Sequence, residues 1–394
     1  MLFRKVYRSI WRNKRAYIAC IFLISIGIMM RTAMGVASDG LETAMLNFYD
    51  EYRLAHVYAD VGAISASDAE RLRDIPGIAD VNARNKIDVR TETDGYDDII
   101  TLRLISFDPA NEMRINDFQM SGEEPVLTND IAVNAMFMAA HELEPGDPIT
   151  LIATGRTFVF QTTGSFLSPE YIYIAPSYTD ILPDNAGFGI AYITNEAMGN
   201  ITSRRGVFNN VIFTLENGYE FEDVRLALTD ALQPYGLISL TERKDQLSYF
   251  FLDMEVTSIK SVSTSLPFVF MAMAAVVLYL MMKRIIEQER MQIGTLKALG
   301  FSNLSVIFHY VSYGIIVGLV GGLIGFAMGA SASGFYLTMF LEFFLLPELV
   351  QPLSPMYLAF ALAVSLGTGI FGSLMGALSV IKLIPADAMR HESP

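Results

Sequence analysis

The side chains that most often carry out chemistry are few in this sequence, and they stand apart from one another. The histidines and the single cysteine share no metal-binding spacing: His56, His141, His309, His391 and Cys20. His141-Glu142 lacks the second histidine of a zinc-binding helix. No Gly-Lys pair occurs, so there is no phosphate-binding loop, and no GxSxG nucleophile motif occurs either. We therefore expect a chain without catalytic residues, cofactor or metal, which draws any energy it needs from another protein.

Four apolar stretches are the elements on which any function must be built. They are Ala16–Ala37, Leu266–Met282, Val306–Ala330 and Met356–Ile381. Each approaches the roughly 20 residues that an α-helix needs to cross a bilayer. The first contains one charged residue, Arg31, and the other three contain no Asp, Glu, Lys or Arg, which argues against a proton- or ion-coupled carrier. The sequence therefore predicts an integral membrane protein with four transmembrane helices.

The distribution of positive charge predicts the orientation of these helices. Twelve Lys and Arg residues lie in the segments expected on one side: Arg4, Lys5, Arg8, Arg12, Lys14, Arg15, Lys283, Arg284, Arg290, Lys297, Lys382 and Arg390. The segment 331–355 has none and carries only Glu342 and Glu348. Because positively charged loops stay in the cytoplasm, we expect both termini inside and residues 38–264 outside.

The segment 38–264 is strongly acidic. It contains 15 basic and 36 acidic residues, a net charge of −21, whereas the whole chain carries −14. The rest of the chain is therefore net basic. An acidic outer segment argues against nucleic acid as a partner, because phosphates repel it.

Residues 1–37 have two interpretations. A cleaved signal peptide would explain the basic start and the small residues Ala33, Gly35 and Ala37. We favour a retained anchor, because the apolar run is longer than that of a usual signal peptide. Cys20 lies within this run and, as the single cysteine, leaves no partner for an internal disulfide.

The expected fold class is a membrane protein with four transmembrane α-helices, one before and three after a large mixed α+β extracytoplasmic domain. The expected divisions are a cytoplasmic basic amino terminus 1–15, transmembrane helix 16–37, extracytoplasmic domain 38–264, transmembrane helix 266–282, cytoplasmic loop 283–304, transmembrane helix 306–330, outer loop 331–355, transmembrane helix 356–381 and cytoplasmic tail 382–394. We expect the protein in a cell membrane, which it crosses several times.

Local patterns predict elements within the outer segment. Residues 38–52 repeat apolar side chains at helical spacing, which predicts a helix rising from the membrane. We predict one strand over Ile78–Arg90 and a capped helix over 129–141. Little turn chemistry interrupts Arg243–Met282 before Pro267, so we expect one helix to pass from the outer domain into the bilayer.

Glycines recur at helical spacing in two of the apolar stretches. Gly321, Gly325 and Gly329 lie in the third stretch, and Gly372 and Gly376 lie in the fourth. On a helix this spacing makes a smooth stripe that a neighbouring backbone approaches closely. We expect packing between helices of one chain, with a dimer contact as the alternative.

The predicted cytoplasmic loop contains a short amphipathic segment. It reads Glu289-Arg290-Met-Gln292-Ile293-Gly294-Thr-Leu296-Lys297-Ala298-Leu299-Gly300 and is called the coupling segment below. Apolar side chains alternate with charges, and Gly300 suits the left-handed turn that ends many helices. Such a helix must bury its apolar side on the membrane surface or in the groove of a partner.

The coupling segment resembles the coupling-helix signature of the FtsX/MacB-like ABC permease family. Other stretches are similar to motifs of that family: the basic start Arg12-Asn13-Lys14-Arg15, the tail Pro385-Ala-Asp387-Ala388-Met389-Arg390, and the core-domain turns Asp74-Ile-Pro76-Gly77-Ile78 and Leu143-Glu-Pro145-Gly146-Asp147. Gln292 is a departure, because the family usually has glutamate at that position.

The resemblance implies a permease without ATPase activity in the cytoplasmic membrane of a bacterium. It implies as partners a separate ABC ATPase and a second permease subunit, in a homodimer or in a heterodimer with a related chain. ATP-driven closure of the ATPases would then move the outer domain, a mechanism called mechanotransmission. The ATPase-coupling residues implied are Glu289, Arg290, Gln292, Ile293, Gly294, Leu296, Lys297, Leu299 and Gly300.

Two classes of function remain open from the sequence. The leading one is export or extraction of an amphiphile, such as a peptide, a lipid-linked molecule or a drug. The alternative is a signalling scaffold whose outer domain binds an extracytoplasmic protein and switches a cell-wall hydrolase without transporting anything. Membrane lipid is a partner in both. The sequence does not identify the substrate.

Overall fold

The computed structural model describes residues 14–92, 100–180, 182–341, 343–347 and 349–382. The start of the basic motif before Lys14, the acidic residues Glu342 and Glu348, and the tail motif Pro385–Arg390 lie outside the described residues. The helices are α1 (Lys14–Glu51), α2 (Ala66–Arg71), α3 (Ala135–Ala140), α4 (Asn195–Thr202), α5 (Phe221–Leu232), α6 (Leu247–Gln288), α7 (Arg290–Ala298), α8 (Asn303–Phe340) and α9 (Pro355–Ala377).

Eleven strands are formed by the described residues. They are β1 (Val57–Ser65), β2 (Ile78–Arg84), β3 (Lys86–Glu92), β4 (Ile100–Phe107), β5 (Gln119–Gly122), β6 (Asp130–Asn134), β7 (Pro148–Ala153), β8 (Arg156–Leu167), β9 (Phe188–Thr194), β10 (Val207–Leu215) and β11 (Leu237–Glu242). Short 3-10 turns occur at Leu72–Asp74, Pro169–Tyr171, Gln233–Tyr235, Arg243–Asp245 and Leu378–Lys382.

The chain divides into two compact units. The helical unit contains the described residues within 14–41, 256–339 and 350–382, and the α+β unit contains those within 42–255 and 340–349. The helices α1 and α6 each contribute residues to both units.

In the helical unit, four helices are long and apolar enough to cross a membrane by length and composition. They are α1, α6, α8, and α9 with the turn that follows it. Between 28 and 44% of the most apolar window of each helix is buried, so most of that surface faces outward. Large apolar side chains such as Phe268, Phe335 and Met356 are exposed. An outer surface of this kind suits lipid rather than water.

The first and second of these helices are longer than the apolar stretches that predict them. α1 joins the stretch 16–37 and the helix predicted over 38–52 into one element. α6 starts at Leu247 and continues past Pro267 to Gln288, which confirms the prediction of a continuous helix. Proline removes one helical hydrogen bond. Gly27 of α1 lies close to α6 near this proline, since a Cβ there would lie 2.4 Å from Cε of Met271 and 3.1 Å from Cβ of Phe270.

In the α+β unit, the first sheet is antiparallel and has the strand order β11-β1-β10-β2. Val211 and Phe213 of β10 are fully buried and pack in one cluster with Val224 and Leu228 of α5 and with Ala69 of α2. Alternate residues of β10 therefore face these two short helices, and their burial holds the layers together.

The second sheet closes on itself. Its order is β5-β8-β6-β9-β4-β3-β7, and β7 also pairs with β8. The strands β7, β8, β6, β9, β4 and β3 thus form a six-stranded ring, to which β5 is attached along β8. On β9, Tyr192 stacks on Phe118 with ring centroids 4.4 Å apart, and the next residue, Ile193, joins a separate cluster.

Two local predictions are wrong, and both failures have a physical cause. Residues 78–90 form two strands rather than one, because β2 joins the first sheet and β3 joins the ring. Between them, the Asn85 N–H donates to Ser106 Oγ at 2.8 Å and its side-chain amide donates to the Val207 carbonyl at 3.0 Å. Residues 130–134 form β6 rather than the first turn of a helix, since Ile131 and Val133 are buried in the core of the ring.

A buried ion pair in the α+β unit joins the end of β2 to the 3-10 turn that follows β8. Arg84, at the end of β2, donates from Nη1 and Nη2 to the two carboxylate oxygens of Glu170, each at 2.6 Å. The Asn116 amide donates to Glu170 Oε2 at 2.5 Å, and Arg84 Nε donates to Asn210 Oδ1 at 2.7 Å. Burial acts to raise the pKa of the Glu170 carboxyl, but the charge and hydrogen bonds of Arg84 outweigh it and hold the pKa below its usual value.

Candidate functional site

The coupling segment forms the short helix α7 between α6 and α8. Glu289 separates α7 from the end of α6. After Ala298 the chain turns at Gly300, whose φ of +92° lies in the left-handed region that favours glycine. The Phe301 N–H donates to the Leu296 carbonyl at 3.1 Å and closes the turn. The short helix and its glycine end are thus in place as the sequence indicates.

The two sides of α7 differ in burial. Ile293 and Gly294 are buried within the helical unit. Leu299 is 72% exposed and Met291 is 54% exposed, and Leu296 is half-buried. Among the residues that the resemblance assigns to the ATPase contact, the exposed ones are Gln292, Leu299 and Gly300. Ile293 and Gly294 therefore face the protein interior and support the exposed side.

Glu289 anchors the start of α7. Its side chain is almost completely buried, and the Tyr310 hydroxyl of α8 donates to Glu289 Oε2 at 2.8 Å. Tyr310 stacks on Tyr313 with centroids 6.2 Å apart, and Tyr313 stacks on Tyr17 of α1 at 6.0 Å. A hydrogen bond between buried groups is stronger than one at the surface, so it fixes the position of α7 relative to α8.

Lys297 anchors the other end of α7. Its ammonium group donates to the carbonyl of Val380 at 2.7 Å, in the 3-10 turn that follows α9. Partial burial lowers the pKa of this ammonium from its usual value. The helix is thus attached to the helical unit near both ends, by Glu289 to α8 and by Lys297 to the end of α9. Arg290 is half-buried beside Glu289.

The predicted glycine stripes lie where helices approach one another closely. A Cβ at Gly321, Gly325 or Gly329 would lie 2.6–2.8 Å from atoms of α1, including the Ser25 carbonyl. The Ser25 hydroxyl also donates to the Gly321 carbonyl at 3.1 Å. On α9, a Cβ at Gly372 or Gly376 would lie 2.5–2.7 Å from atoms of α6. Both sets therefore face helices of the same chain.

Several contacts that hold the helices together go beyond those predicted from the sequence pattern. A second glycine face of α8, with Gly314, Gly318 and Gly322, packs against α9 at Ser365, Gly369 and Ser373. Tyr310 and Val380, which hold α7, lie 21 and 83 residues from their partners in sequence. A tyrosine in an apolar helix near a buried carboxylate is a signal for the first of these contacts. No sequence pattern predicts the contact between Lys297 and Val380, because its acceptor is a backbone carbonyl.

The helical unit combines four helices of membrane-spanning length with the short anchored helix α7. Residues 264–385 match the family model described as FtsX-like permease C-terminal, and this match includes α7 and all the predicted coupling residues. This part of the chain is similar to FtsX-like permease domains, and the resemblance seen in the sequence is confirmed there. No curated protein matches the chain in sequence.

Several solved structures are similar to parts of this chain. One is the periplasmic region of MacB from Actinobacillus actinomycetemcomitans, with 10% identity over 55% of this chain and 97% of that one and a TM-score of 0.33. Another is the extracellular domain of the noncanonic ABC-type transporter YknZ from Gram-positive bacteria, with 11% identity, coverage of 47% and 99%, and a TM-score of 0.31. A domain of a putative permease from Porphyromonas gingivalis has 10% identity, coverage of 50% and 91%, and a TM-score of 0.30.

Proposed function

We propose that this chain is the permease subunit of an ABC transporter and that a separate ATPase binds the coupling segment. The observation that carries the proposal is the exposed apolar side of α7, formed by Met291, Leu299 and the neighbouring Phe301. Burying two such side chains in a groove is worth roughly 3–6 kcal/mol before the costs of association. A short helix with one side anchored and the other exposed and apolar is suited to a partner groove.

Because one side of α7 is anchored, the proposed contact with the ATPase would transmit force to the other helices. A force applied to Leu299 reaches α8 through the hydrogen bond between Glu289 and Tyr310, and reaches the end of α9 through the one between Lys297 and Val380. It also reaches α6, whose last residue is next to Glu289. In this proposal the helical unit moves as α7 moves, and α6 passes the movement to the α+β unit.

We also propose a membrane topology and a transported substrate for this chain. Both termini lie in the cytoplasm, the α+β unit lies outside, and two permease subunits act together, as a homodimer or with a related chain. The cargo is an amphiphile that is exported or extracted from the outer leaflet. Support for this topology comes from the twelve Lys and Arg residues of the expected inner segments, against none in 331–355.

Leu299→Asp tests the proposed contact. The full chain, tagged and purified from its native membranes, is expected to bring an ABC ATPase with it. The aspartate variant should lose that ATPase, because a charge replaces the most exposed leucine of the groove-binding side. The measurement is the amount of ATPase recovered per permease chain.

Leu226→Asp is the matched control, because Leu226 of α5 is similarly exposed but lies in the α+β unit. It should leave ATPase recovery unchanged. Equal recovery with Leu299→Asp would mean that α7 rests on the membrane surface instead, and the proposed contact would be wrong. Stimulation of the recovered ATPase by an amphiphile would support transport, whereas a hydrolase bound to the full chain without such stimulation would support the signalling alternative.

A further inference from the structure

Arg31 occupies an unusual position for a charged residue. It lies within the apolar part of α1, and its guanidinium carbon is 5.5 Å from the ring centroid of Tyr357 and 5.2 Å from that of Phe360. Its Nη1 is 3.5 Å from the hydroxyl of Ser263. Three helices, α1, α6 and α9, therefore surround one cationic group.

The described residues compensate this cation only in part, through the Tyr357 side chain, which interacts with both Arg31 and Asp39. Among the described residues no carboxylate forms an ion pair with Arg31, and its Nε atom is buried without a hydrogen-bond partner. The acid on the same helix, Asp39, accepts a hydrogen bond from the Tyr357 hydroxyl at 2.5 Å. A buried cation is costly unless an anion or hydrogen bonds compensate for it. The aromatic faces attract it only weakly compared with an anion.

The space around the guanidinium depends on a glycine. A Cβ at Gly35, one turn further along α1, would overlap Nη1 of Arg31 and lie 2.7 Å from Cε1 of Tyr357. The absence of a side chain there leaves the gap in which the guanidinium sits. Phe360 is 37% exposed and Met356 is 73% exposed, so the gap borders the apolar outer surface of α9.

The depth of Arg31 places it near lipid headgroups. It lies 17 residues beyond Lys14, the first residue of α1, or about 25 Å along a helix at 1.5 Å per residue. The hydrocarbon layer is about 30 Å thick, so Arg31 reaches towards the boundary opposite the basic amino terminus. With the proposed topology, on which this step depends, that boundary is the outer leaflet.

We propose that Arg31 binds the phosphate of a phospholipid in the outer leaflet, in the gap between α1, α6 and α9. Guanidinium matches phosphate oxygens with two parallel hydrogen bonds, and the phosphate would place a negative charge beside the cation. Ser263 adds a hydroxyl at the edge of the gap, and the exposed surface of Met356 and Phe360 lies beside it for an acyl chain. The site would hold a lipid against α1, α6 and α9.

The test uses the full chain purified in phosphate-free detergent and titrated with a short-chain phosphatidylglycerol, with bound lipid counted by native mass spectrometry. The wild type should bind at least one phosphatidylglycerol. Arg31→Gln should weaken that binding about tenfold or more, because a charge-assisted pair of hydrogen bonds is lost. Arg31→Lys should bind with intermediate affinity, since it keeps the charge without the planar fork.

Gly35→Ala keeps the arginine but crowds the gap, so it should weaken binding as well. Arg225→Gln, which removes an exposed arginine of α5, is the matched control and should bind like the wild type. Diacylglycerol, which has no phosphate, should bind equally to the wild type and to Arg31→Gln.

Equal phosphatidylglycerol binding by the wild type, Arg31→Gln and Gly35→Ala would overturn the proposal and leave Arg31 as a packing residue. Displacement of the lipid by inorganic phosphate at similar concentration would show that the ligand is a soluble anion, which overturns the lipid assignment. Neither result depends on the ATPase, so failure here is distinct from failure of the proposed function.

Discussion

Arg84 and Glu170 are among the most deeply buried charges in the described chain, and their pairing has consequences for stability. Removing one member of a buried ion pair leaves the other charge uncompensated. Glu170→Gln should therefore lower the free energy of unfolding by roughly 3–5 kcal/mol. The measurement is urea unfolding of the full chain, with hydrogen exchange of β2 and β8 to locate the effect in the α+β unit.

Glu222→Gln is the control for that substitution. It breaks a pair with Arg225 in which both side chains are about half exposed or more, so it should change stability by less than about 1 kcal/mol. Because the folded pKa of Glu170 lies below its ordinary 4.5, the contribution of the buried pair is present above that pH and is lost as the pH falls through the folded value. Equal destabilisation by the two variants would argue against a special role for the buried pair.

A second pH effect is expected from His56, which is a base, whereas Glu170 is an acid. Burial, together with the charge of Arg243, lowers the pKa of His56 from 6.5 to about 4, and its Nδ1 accepts from the Leu215 N–H at 3.3 Å. The unfolded chain therefore takes up this proton below pH 6.5, whereas the folded chain takes it up only near pH 4. Stability should fall as the pH drops between these values, and level off below the lower one.

His56→Gln should remove that part of the acid destabilisation while keeping an acceptor near Leu215. The measurement is the unfolding free energy of both chains at a series of pH values. The variant should show a smaller slope in this window. Identical slopes would mean that His56 does not titrate as its surroundings indicate.

At the scale of elements, α6 is the helix through which we propose that movement is transmitted. It is one helix from Leu247 to Gln288, and it has residues in both compact units. Inserting Gly-Gly after Ser258 should uncouple ATP hydrolysis from movement of the α+β unit, because each glycine costs roughly 1 kcal/mol of helix stability and adds a flexible joint. The readout is ATP-dependent labelling of a cysteine at Ser67, compared with ATPase activity.

Ala-Ala inserted at the same point is the matched control. It adds the same length and the same rotation but keeps a stiff helix. If both insertions abolish ATP-dependent labelling, the register of α6 matters and its stiffness does not. If neither does, α6 is only a tether, and mechanical transmission through it is wrong.

How far the sequence predicts these elements depends on how local their causes are. The four long helices and α7 follow from apolar runs and a glycine, all within one element. The division of residues 78–90 between two sheets depends on where Asn85 finds its partners, Ser106 and Val207. The two hydrogen bonds that hold α7 in place likewise depend on Tyr310 and Val380, which are distant in sequence from Glu289 and Lys297. Periodicity does not encode such long-range pairings, because many registers satisfy the same alternation.

At the scale of the whole molecule, the proposed topology can be tested with single cysteines. Cys20 is the only native cysteine and is fully buried, so Cys20→Ala gives a background for labelling. An impermeant maleimide added outside intact cells should label Ser67→Cys, which lies at an exposed position in α2, and should not label Ser393→Cys. Labelling of Ser393→Cys should appear after the membrane is opened. Labelling of Ser393→Cys in intact cells would reverse the topology.

The closed ring of β3, β4, β6, β7, β8 and β9 has a consequence for aggregation and for the binding of partner strands. Each of these strands has a neighbour on both sides, so the ring offers no unsatisfied row of amides to an aggregating chain. Among the described strands, the open edges are those of the four-residue β5 and of β2 and β11 in the first sheet. A protein that binds by adding a strand to an exposed sheet edge would therefore have to pair with one of these. β11 is the candidate with the most direct mechanical consequence, since a strand added there would bind five residues before the start of the long helix α6.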